Sequence, residues 1–275
     1  MRALFGVSSS IAKNVNNASI ETIQFAGRNH FEVVELFCEV PDVIPGYINE
    51  EKITKIKQLS HNYNIRIQLH APFHSINLAS FNEKVRKLSI KILYDTIKLA
   101  HSIDAKLVTF HLGLCFFPCQ LYRERANEIL IDSLNNLLEI AEEYDIILAM
   151  ENRGGKLDIG KPEELLEVLR AVNANKYLRI TFDVVQANVI GDPLEQYNLL
   201  KDYVINAHIR DAPKGRDMLL AVGEGEIDFH SLIRAFIQNN FFGPYIFEVS
   251  TKDRAIISRG VFEEILEEII SQKKI

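Results

Sequence analysis

The 275-residue sequence lacks the features that identify membrane, secreted and dinucleotide-binding proteins. No apolar stretch reaches about 18 residues, so no transmembrane helix is expected. The N-terminal segment MRALFGVSSS has no apolar core long enough for a signal peptide, and it predicts a first strand instead. The glycine-rich pattern G-x-G-x-x-G is also missing. We therefore expect a cytoplasmic protein with no membrane partner.

Cysteine is scarce. The chain has Cys38, Cys115 and Cys119, an odd, small number that suits a reducing compartment. Only the sequence Phe-Phe-Pro separates Cys115 from Cys119. This pair has two interpretations, either a redox or metal pair or two thiols in an apolar loop. We favour two thiols, because no second cysteine pair completes a zinc site.

Positive charge is outnumbered, with 31 Lys and Arg against 37 Asp and Glu and a net charge of -6. This balance argues against broad non-specific nucleic-acid binding, which depends on neutralising phosphates. A local basic groove is still compatible with it. The hydrophobic content of 47% is typical of globular proteins, and no linker or low-complexity tract divides the chain. We expect one domain over residues 1–275.

Eight near-continuous apolar runs, rich in Val, Ile, Leu and Phe, predict parallel strands buried on both faces. The runs cover 3–8, 31–37, 65–70, 106–111, 146–151, 178–183, 204–209 and 245–249. Helical patterns lie between them, at 49–63, 82–103 and 122–144, after Lys161-Pro162, and at 253–272. Units of about 34 residues fit a single-domain (β/α)8 TIM barrel. A doubly wound open sheet is the alternative, but its usual glycine-rich turn is missing after the first strand.

Six of these runs end in a residue that can bind a divalent metal. At the C-terminal face of a barrel, side chains from strands three to eight can converge. A single strand-end His or Glu is commonly a hydrogen-bonding or capping group, but several carboxylates together would repel one another. A divalent cation removes that repulsion, so the six predict a metal site. They are His70, His111, Glu151, Asp183, His208 and Glu248.

Short segments around these residues resemble the xylose-isomerase-like superfamily of barrels, which includes sugar isomerases and epimerases and the endonuclease IV family. The segments occur in the order found in that superfamily and cover about residues 65–250. They are LHAPFHSINLAS (69–80), VTFHLG (108–113), MENRGG (150–155), FDVVQAN (182–188), AHIRDAP (207–213), VGEGEID (222–228) and IFEVS (246–250).

The resemblance to ketose 3-epimerases and isomerases implies one divalent ion, of Mn, Zn, Mg, Co or Fe, held by Glu151, Asp183, His208 and Glu248. It also implies that Glu151 and Glu248 act as acid and base on opposite faces of a sugar or sugar phosphate. Protons would then move through a metal-stabilised enediolate, with no nucleotide cofactor. A homo-oligomer is compatible with this resemblance.

Further residues are candidates for contact with the substrate. His70 and His111 are candidates either for a second metal, together with Glu151, or for substrate binding. Asn152 is a candidate for substrate binding or for orienting the ligand beside it. Glu35, which ends the second strand region, has either a pocket-lining or a structural role.

Two positions depart from the epimerase pattern. Gln186 stands where the epimerases often have a substrate-contacting His, and Lys214 stands where they have an Arg. Lys is not an equal exchange for a bidentate Arg. Lys214, Arg210 and Arg216 lie in one loop, and two interpretations stay open for it, a phosphate-binding group or a solvated basic loop.

The resemblance to endonuclease IV implies a second hypothesis, a metal-dependent phosphodiesterase acting on abasic DNA. That family uses three zinc ions, and two of the imidazoles that bind the third are replaced here by Gln186 and Leu219. Neither residue can replace imidazole at zinc, so a full trinuclear site is not expected. A third hypothesis is a non-catalytic binding protein on a barrel scaffold. The isomerase or epimerase hypothesis leads.

Overall fold

The computed structural model describes residues 2–173 and 176–272, and its eight parallel strands close into one barrel in chain order. The first strand pairs with the last through Val7 and Phe247, which closes the barrel. This confirms the predicted single-domain (β/α)8 barrel, and the strand ends differ from the predicted runs by at most two residues. The strands are β1 (Phe5–Ser8), β2 (Val33–Phe37), β3 (Arg66–His70), β4 (Leu107–Phe110), β5 (Ile147–Glu151), β6 (Leu178–Asp183), β7 (Val204–Ile209) and β8 (Tyr245–Phe247).

Nine α-helices surround the barrel within the described ranges, and the predicted helical patterns match α2, α3, α4, α5 and α9. Two of these helices, α3 and α5, start where a side chain accepts a free backbone N–H group. Asn82 accepts from the backbone of Lys84 at 3.1 Å, and Glu164 accepts from the backbone of Lys161, also at 3.1 Å. The helices are α1 (Ala18–Arg28), α2 (Glu50–Tyr63), α3 (Glu83–Ser102), α4 (Arg123–Glu143), α5 (Pro162–Ala171), α6 (Val184–Ile190), α7 (Pro193–Leu200), α8 (Phe229–Gln238) and α9 (Lys252–Gln272).

An aromatic cluster fixes the last strand against the last helix. Phe262 of α9 is fully buried, and its ring centroid lies 4.7 Å from that of Tyr245 and 6.0 Å from those of Phe5 and Phe247. Burying a side chain of this kind contributes roughly 1.5–3 kcal/mol. The cluster therefore holds β8 in place, and β8 leads directly to Glu248.

The loop between β4 and α4 corrects one prediction. Cys115 and Cys119, interpreted above as two separate thiols, form a disulfide, whereas Cys38 is a free, buried thiol. The loop brings the two Cα atoms to 5.2 Å, a separation typical of disulfides. Phe116 and Phe117 between them are exposed.

No helix in the described part of the chain is long and apolar enough to cross a membrane.

Candidate metal centre

The C-terminal end of the barrel brings together the side chains predicted to bind metal. His70, Glu151 and Asp183 are the last residues of β3, β5 and β6, and His208 is the second-last residue of β7. In residues 2–173 and 176–272, two groups of three or more side chains place their ligand atoms within 4.8 Å of one another. One group is Glu151, Asp183, His208 and Glu248, and the other is His70, Glu151 and His208.

The four-residue group is arranged around one imidazole nitrogen. Nδ1 of His208 lies 3.4 Å from Oε1 of Glu151, 3.8 Å from Oε2 of Glu248 and 4.0 Å from Oδ2 of Asp183. This nitrogen is buried and has no hydrogen-bond partner among the described residues. Donor atoms that share an ion at about 2.1 Å lie roughly 3–4 Å apart. The group therefore fits a divalent cation, and the ligand roles stay a prediction.

A second cluster surrounds the other oxygen of Glu151. Oε2 lies 3.2 Å from Nε2 of His70 and 2.5 Å from Nε2 of His111. Burial lowers the pKa of His111 to about 4, so its imidazole is neutral. Burial also opposes charge on Glu151, but the imidazoles of His111, His208 and His70 outweigh it and hold its pKa well below the ordinary value. Glu151 is therefore an ionised carboxylate at neutral pH.

His70 has a fixed tautomer. Its Nδ1 lies 2.9 Å from the carbonyl oxygen of Ala71, which can only accept, so Nδ1 carries a proton. Its Nε2 faces the carboxylate of Glu151, and two acceptors facing each other need a proton or a cation between them. Here burial opposes protonation, yet Glu151 and Glu35 outweigh it and raise the pKa of His70. The contact therefore favours a proton or a cation between these two atoms.

Arg210 corrects the predicted basic loop. Its side chain is buried rather than solvated, while Lys214 and Arg216 are exposed as that interpretation requires. Nε and Nη2 of Arg210 donate to Oδ2 of Asp183 at 3.0 and 2.9 Å, and Nη1 donates to Oδ1 of Asp217 at 2.5 Å. A guanidinium so engaged has no free face for phosphate.

The surroundings of Asp183 oppose the charged form of its carboxylate. Burial raises its pKa to about 6, against the opposing charge of Arg210 and with the support of Glu151 and Glu248. Because three carboxylates meet here, one arginine compensates only part of their charge. The site therefore favours a proton or a cation at this point.

Asn152 and Gln186 hold Asp183 in place. Asn152 accepts from the backbone N–H of Asp183 at 2.7 Å and donates to its carbonyl at 2.9 Å. The backbone N–H of Gln186 donates to Oδ1 of Asp183 at 2.7 Å. The side chain of Gln186 donates to Asp217 and accepts from the backbone of Gly154, so its amide already has protein partners at both ends. Their predicted contact with substrate stays a prediction.

Lys214 stands apart from the cluster. It is exposed on the loop after β7, and its backbone N–H donates to Oε2 of Glu226 at 2.9 Å. Its predicted contact with substrate also stays a prediction.

For Glu35 two roles are open, a pocket-lining one and a structural one. It lies on β2, is fully buried, and places Oε1 2.9 Å from Nε2 of His208. Burial would raise its pKa, but His208 and His70 outweigh burial and lower it. The sequence feature that could have identified Glu35 is its position as a single carboxylate inside the apolar run VVELF.

Comparisons with known proteins show which family the chain belongs to. A family model described as a xylose isomerase-like TIM barrel matches residues 23–269. The chain belongs to this family. An uncharacterized protein of Methanocaldococcus jannaschii is 31% identical over 278 residues, which cover 98% of this chain and 91% of that one. The resemblance stated from the sequence is therefore confirmed.

Two branches of the family are represented among the relatives. The crystal structure of a D-tagatose 3-epimerase-like protein superposes with a TM-score of 0.88 at 29% identity, covering 98% of this chain and 99% of that one. A probable endonuclease 4 of Aquifex aeolicus is 26% identical over 193 residues, covering 69% of this chain and 65% of that protein. The epimerase hypothesis and the endonuclease hypothesis are thus each represented by a protein that is similar to this chain.

Proposed function

We propose that the protein is a divalent-metal-dependent isomerase or epimerase of sugars or sugar phosphates. The observation that carries the proposal is the partnerless Nδ1 of His208, which faces the carboxylates of Glu151, Asp183 and Glu248. The similarity to a D-tagatose 3-epimerase-like protein over nearly the whole chain supports a sugar as substrate. Manganese, zinc, magnesium, cobalt and iron all accept this mixture of nitrogen and oxygen ligands.

Two of the candidate ligands, Asp183 and His208, have neighbours that hold them in position. Asn152 fixes the backbone of Asp183, and Glu35 lies against His208. When bound, the ion would polarise the substrate carbonyl and stabilise the negative charge that develops on its oxygen. Such preorganisation is what allows a site to act without rearranging during the reaction.

Glu248 is the better placed of the two candidate acid–base groups. Its side chain is 16% exposed, whereas that of Glu151 is 2% exposed and faces three imidazoles. A proton on the substrate can therefore reach an oxygen of Glu248 more easily. We assign to Glu248 the removal of the proton beside the carbonyl, and to Glu151 proton transfer on the opposite face of the sugar.

Hydrogen exchange on the substrate provides the test. Metal-free protein is loaded with Mn²⁺, and ketopentoses, ketohexoses and their phosphates are incubated with it in D₂O. Exchange of the hydrogen beside the carbonyl, read by NMR, reports proton removal whichever product forms. We expect exchange that needs the metal and is lost in Glu248→Gln. Exchange that is equally fast in folded Glu248→Gln would contradict the assigned role.

The same assay can test whether Lys214 and Arg216 bind a phosphate group of the substrate. Both are exposed on the loop after β7, and neither belongs to the buried cluster. If the substrate is phosphorylated, Lys214→Ala should raise KM for the sugar phosphate and leave KM for the free sugar unchanged. Equal effects on both substrates would exclude phosphate binding by Lys214.

A metal-dependent phosphodiesterase is the second candidate, favoured by the contacts of His70 and His111 with Glu151. A third ion is disfavoured, because Asp217 is engaged by Arg210 and by Gln186. Two bound metal ions together with cleavage of a duplex containing one abasic site would establish this function. One ion without cleavage would reject it.

The third hypothesis, a binding protein without catalysis, makes a different prediction for the same preparation. Metal-free protein that binds neither Mn²⁺ nor Zn²⁺ would favour it and would contradict both enzymatic candidates.

A further inference from the structure

We propose that Glu35 is a positioning residue that selects Nδ1 as the metal-binding nitrogen of His208. The inference rests on the proposed metal site and goes further, because it assigns a role to a residue outside the ligand set. It also explains why a fully buried carboxylate lies on β2, the strand before the first predicted ligand.

The first step is the contact between Glu35 and His208. Oε1 of Glu35 lies 2.9 Å from Nε2 of His208, both side chains are fully buried, and neither atom has an aligned hydrogen bond to any described residue. At this distance the carboxylate oxygen repels the lone pair of an unprotonated Nε2, so a neutral imidazole favours its proton on that nitrogen. The lone pair is then on Nδ1, which faces the other three carboxylates.

The second step is that Glu35 cannot easily turn. Its other oxygen, Oε2, accepts from Nε2 of Gln68 at 2.7 Å, Oγ1 of Thr109 at 3.3 Å and Nδ2 of Asn206 at 3.4 Å. These donors come from β3, β4 and β7, so three strands fix the carboxylate. Oε1 is left for His208.

The third step concerns the effect of Glu35→Gln on the proton of His208. The side-chain oxygen of glutamine would stay with the three donors, because its NH₂ group cannot accept from them. The NH₂ group would then point at Nε2 of His208, which must accept. The imidazole proton would move to Nδ1, the nitrogen that faces the metal site. Glutamine should therefore weaken metal binding although it matches glutamate in size.

Methionine at the same position is the matched comparison. It removes the charge as glutamine does, but it offers no N–H to Nε2, so His208 can still present Nδ1. If Glu35 acted through charge or packing alone, Glu35→Gln should lower metal affinity less than Glu35→Met. If Glu35 positions the proton of His208, Glu35→Gln should lower metal affinity more than Glu35→Met.

Thr181→Val is the control for disturbance of the polar layer. Oγ1 of Thr181 lies 2.9 Å from Oγ1 of Thr109 and 3.2 Å from Nδ2 of Asn206, and no hydrogen bond joins it to Glu35 or His208 in the described structure. The variant loses buried hydrogen bonds in the same layer without altering the contact of Glu35 with His208.

The experiment is a calorimetric titration of metal-free protein with Zn²⁺ and with Mn²⁺. We expect affinity to fall about 10- to 100-fold in Glu35→Gln, as for other partners of metal-binding histidines, with a smaller loss in Glu35→Met. Thr181→Val should stay within about threefold of wild type, because it leaves the ligands and their partners intact. Glu35→Gln that binds as tightly as Thr181→Val or Glu35→Met overturns the inference.

A second measurement needs no variant. In zinc-loaded wild-type protein with ¹⁵N-labelled histidine, His208 should show zinc on Nδ1 and a proton on Nε2. Zinc on Nε2 overturns the inference even if Glu35→Gln fails to fold. Wild-type protein that binds neither ion would instead overturn the proposed function, and the inference with it. Failure of the proposed function is thus distinguishable from failure of the role of Glu35 alone.

Discussion

Arg210 donates two hydrogen bonds to the same oxygen of Asp183, Oδ2, at 3.0 and 2.9 Å. The same guanidinium lies 3.4 Å from Oε2 of Glu248. Two of the four candidate ligands therefore have an arginine as their counter-charge. A metal ion at this point would share those carboxylates with Arg210, which makes the arginine important in metal-free protein.

Removal of Arg210 should destabilise metal-free protein more than metal-loaded protein. Arg210→Ala leaves the buried charge of Asp183 without its main partner, and breaking a buried pair in this way costs about 3–5 kcal/mol. A bound cation would offset part of the negative charge left on Asp183. Thermal unfolding with and without Mn²⁺ provides the measurement. Equal losses of Tm in both states would contradict the prediction, and Arg216→Ala, an exposed change on the same loop, is the control.

Metal affinity should rise with pH between about 5 and 8, because protons compete with the ion for its ligands. Burial, helped by Glu151 and Glu248, raises the pKa of Asp183 to about 6. At His208 burial acts the other way, but Glu35 and Glu151 outweigh it and raise the pKa well above 6.5. Calorimetry across this range should show proton release on binding. An affinity independent of pH would be the contrary result.

The same two groups set the pH dependence of stability in metal-free protein. Both have folded pKa values above those of the unfolded chain, so the folded state binds protons more tightly. Their contribution is present at low pH and is lost as pH rises, from 3.8 to about 6 for Asp183 and above 6.5 for His208. Metal loading should remove most of this loss. Denaturant unfolding at several pH values, with and without Mn²⁺, checks the sign.

Glu248→Gln should lower kcat for proton exchange about 10²- to 10⁴-fold, the usual contribution of a positioned acid–base group. Glutamine keeps an oxygen that can still bind metal, so metal binding should persist more weakly. The ratio of bound metal to protein separates the two effects. A loss of exchange that is fully explained by loss of metal would assign Glu248 a ligand role alone. Glu83→Gln, an exposed change on α3, is the control.

The disulfide should contribute modestly to stability. It closes a short loop, for which loop-closure entropy predicts about 2 kcal/mol. Wild-type protein should therefore lose Tm when a dithiol reductant is added, and the double variant Cys115→Ser/Cys119→Ser should start lower and not respond. A reductant effect of the same size in the double variant would show that the disulfide is not its cause.

The sequence is sufficient to predict the barrel because each strand is a near-continuous apolar run, and the candidate ligands stand at or near the ends of those runs. His70, Glu151 and Asp183 fall at strand ends in the structure as in the sequence. The polar residue that ends an apolar run is visible in the local sequence, so its position at the end of a strand can be predicted.

Glu35, Arg210 and the disulfide are different. Glu35 belongs to no recognisable sequence motif. Its contacts depend on the strand register, which places it between Ser8 and Gln68. Arg210 is buried where it binds Asp183 at the end of β6 and Asp217 further along its own loop. The Cys115–Cys119 bond depends on the conformation of one loop. All three depend on contacts that local sequence patterns do not specify.

The side chains of the candidate metal centre and its support come from strands far apart in the chain, from Glu35 on β2 to Glu248 just after β8. During synthesis, this candidate site therefore cannot be complete until the last strand has emerged and joined the first. An incomplete chain lacks Glu248 and should hold the ion less tightly. Metal capture would then report that the barrel has closed, and the ion would stabilise finished molecules in preference to partly made ones.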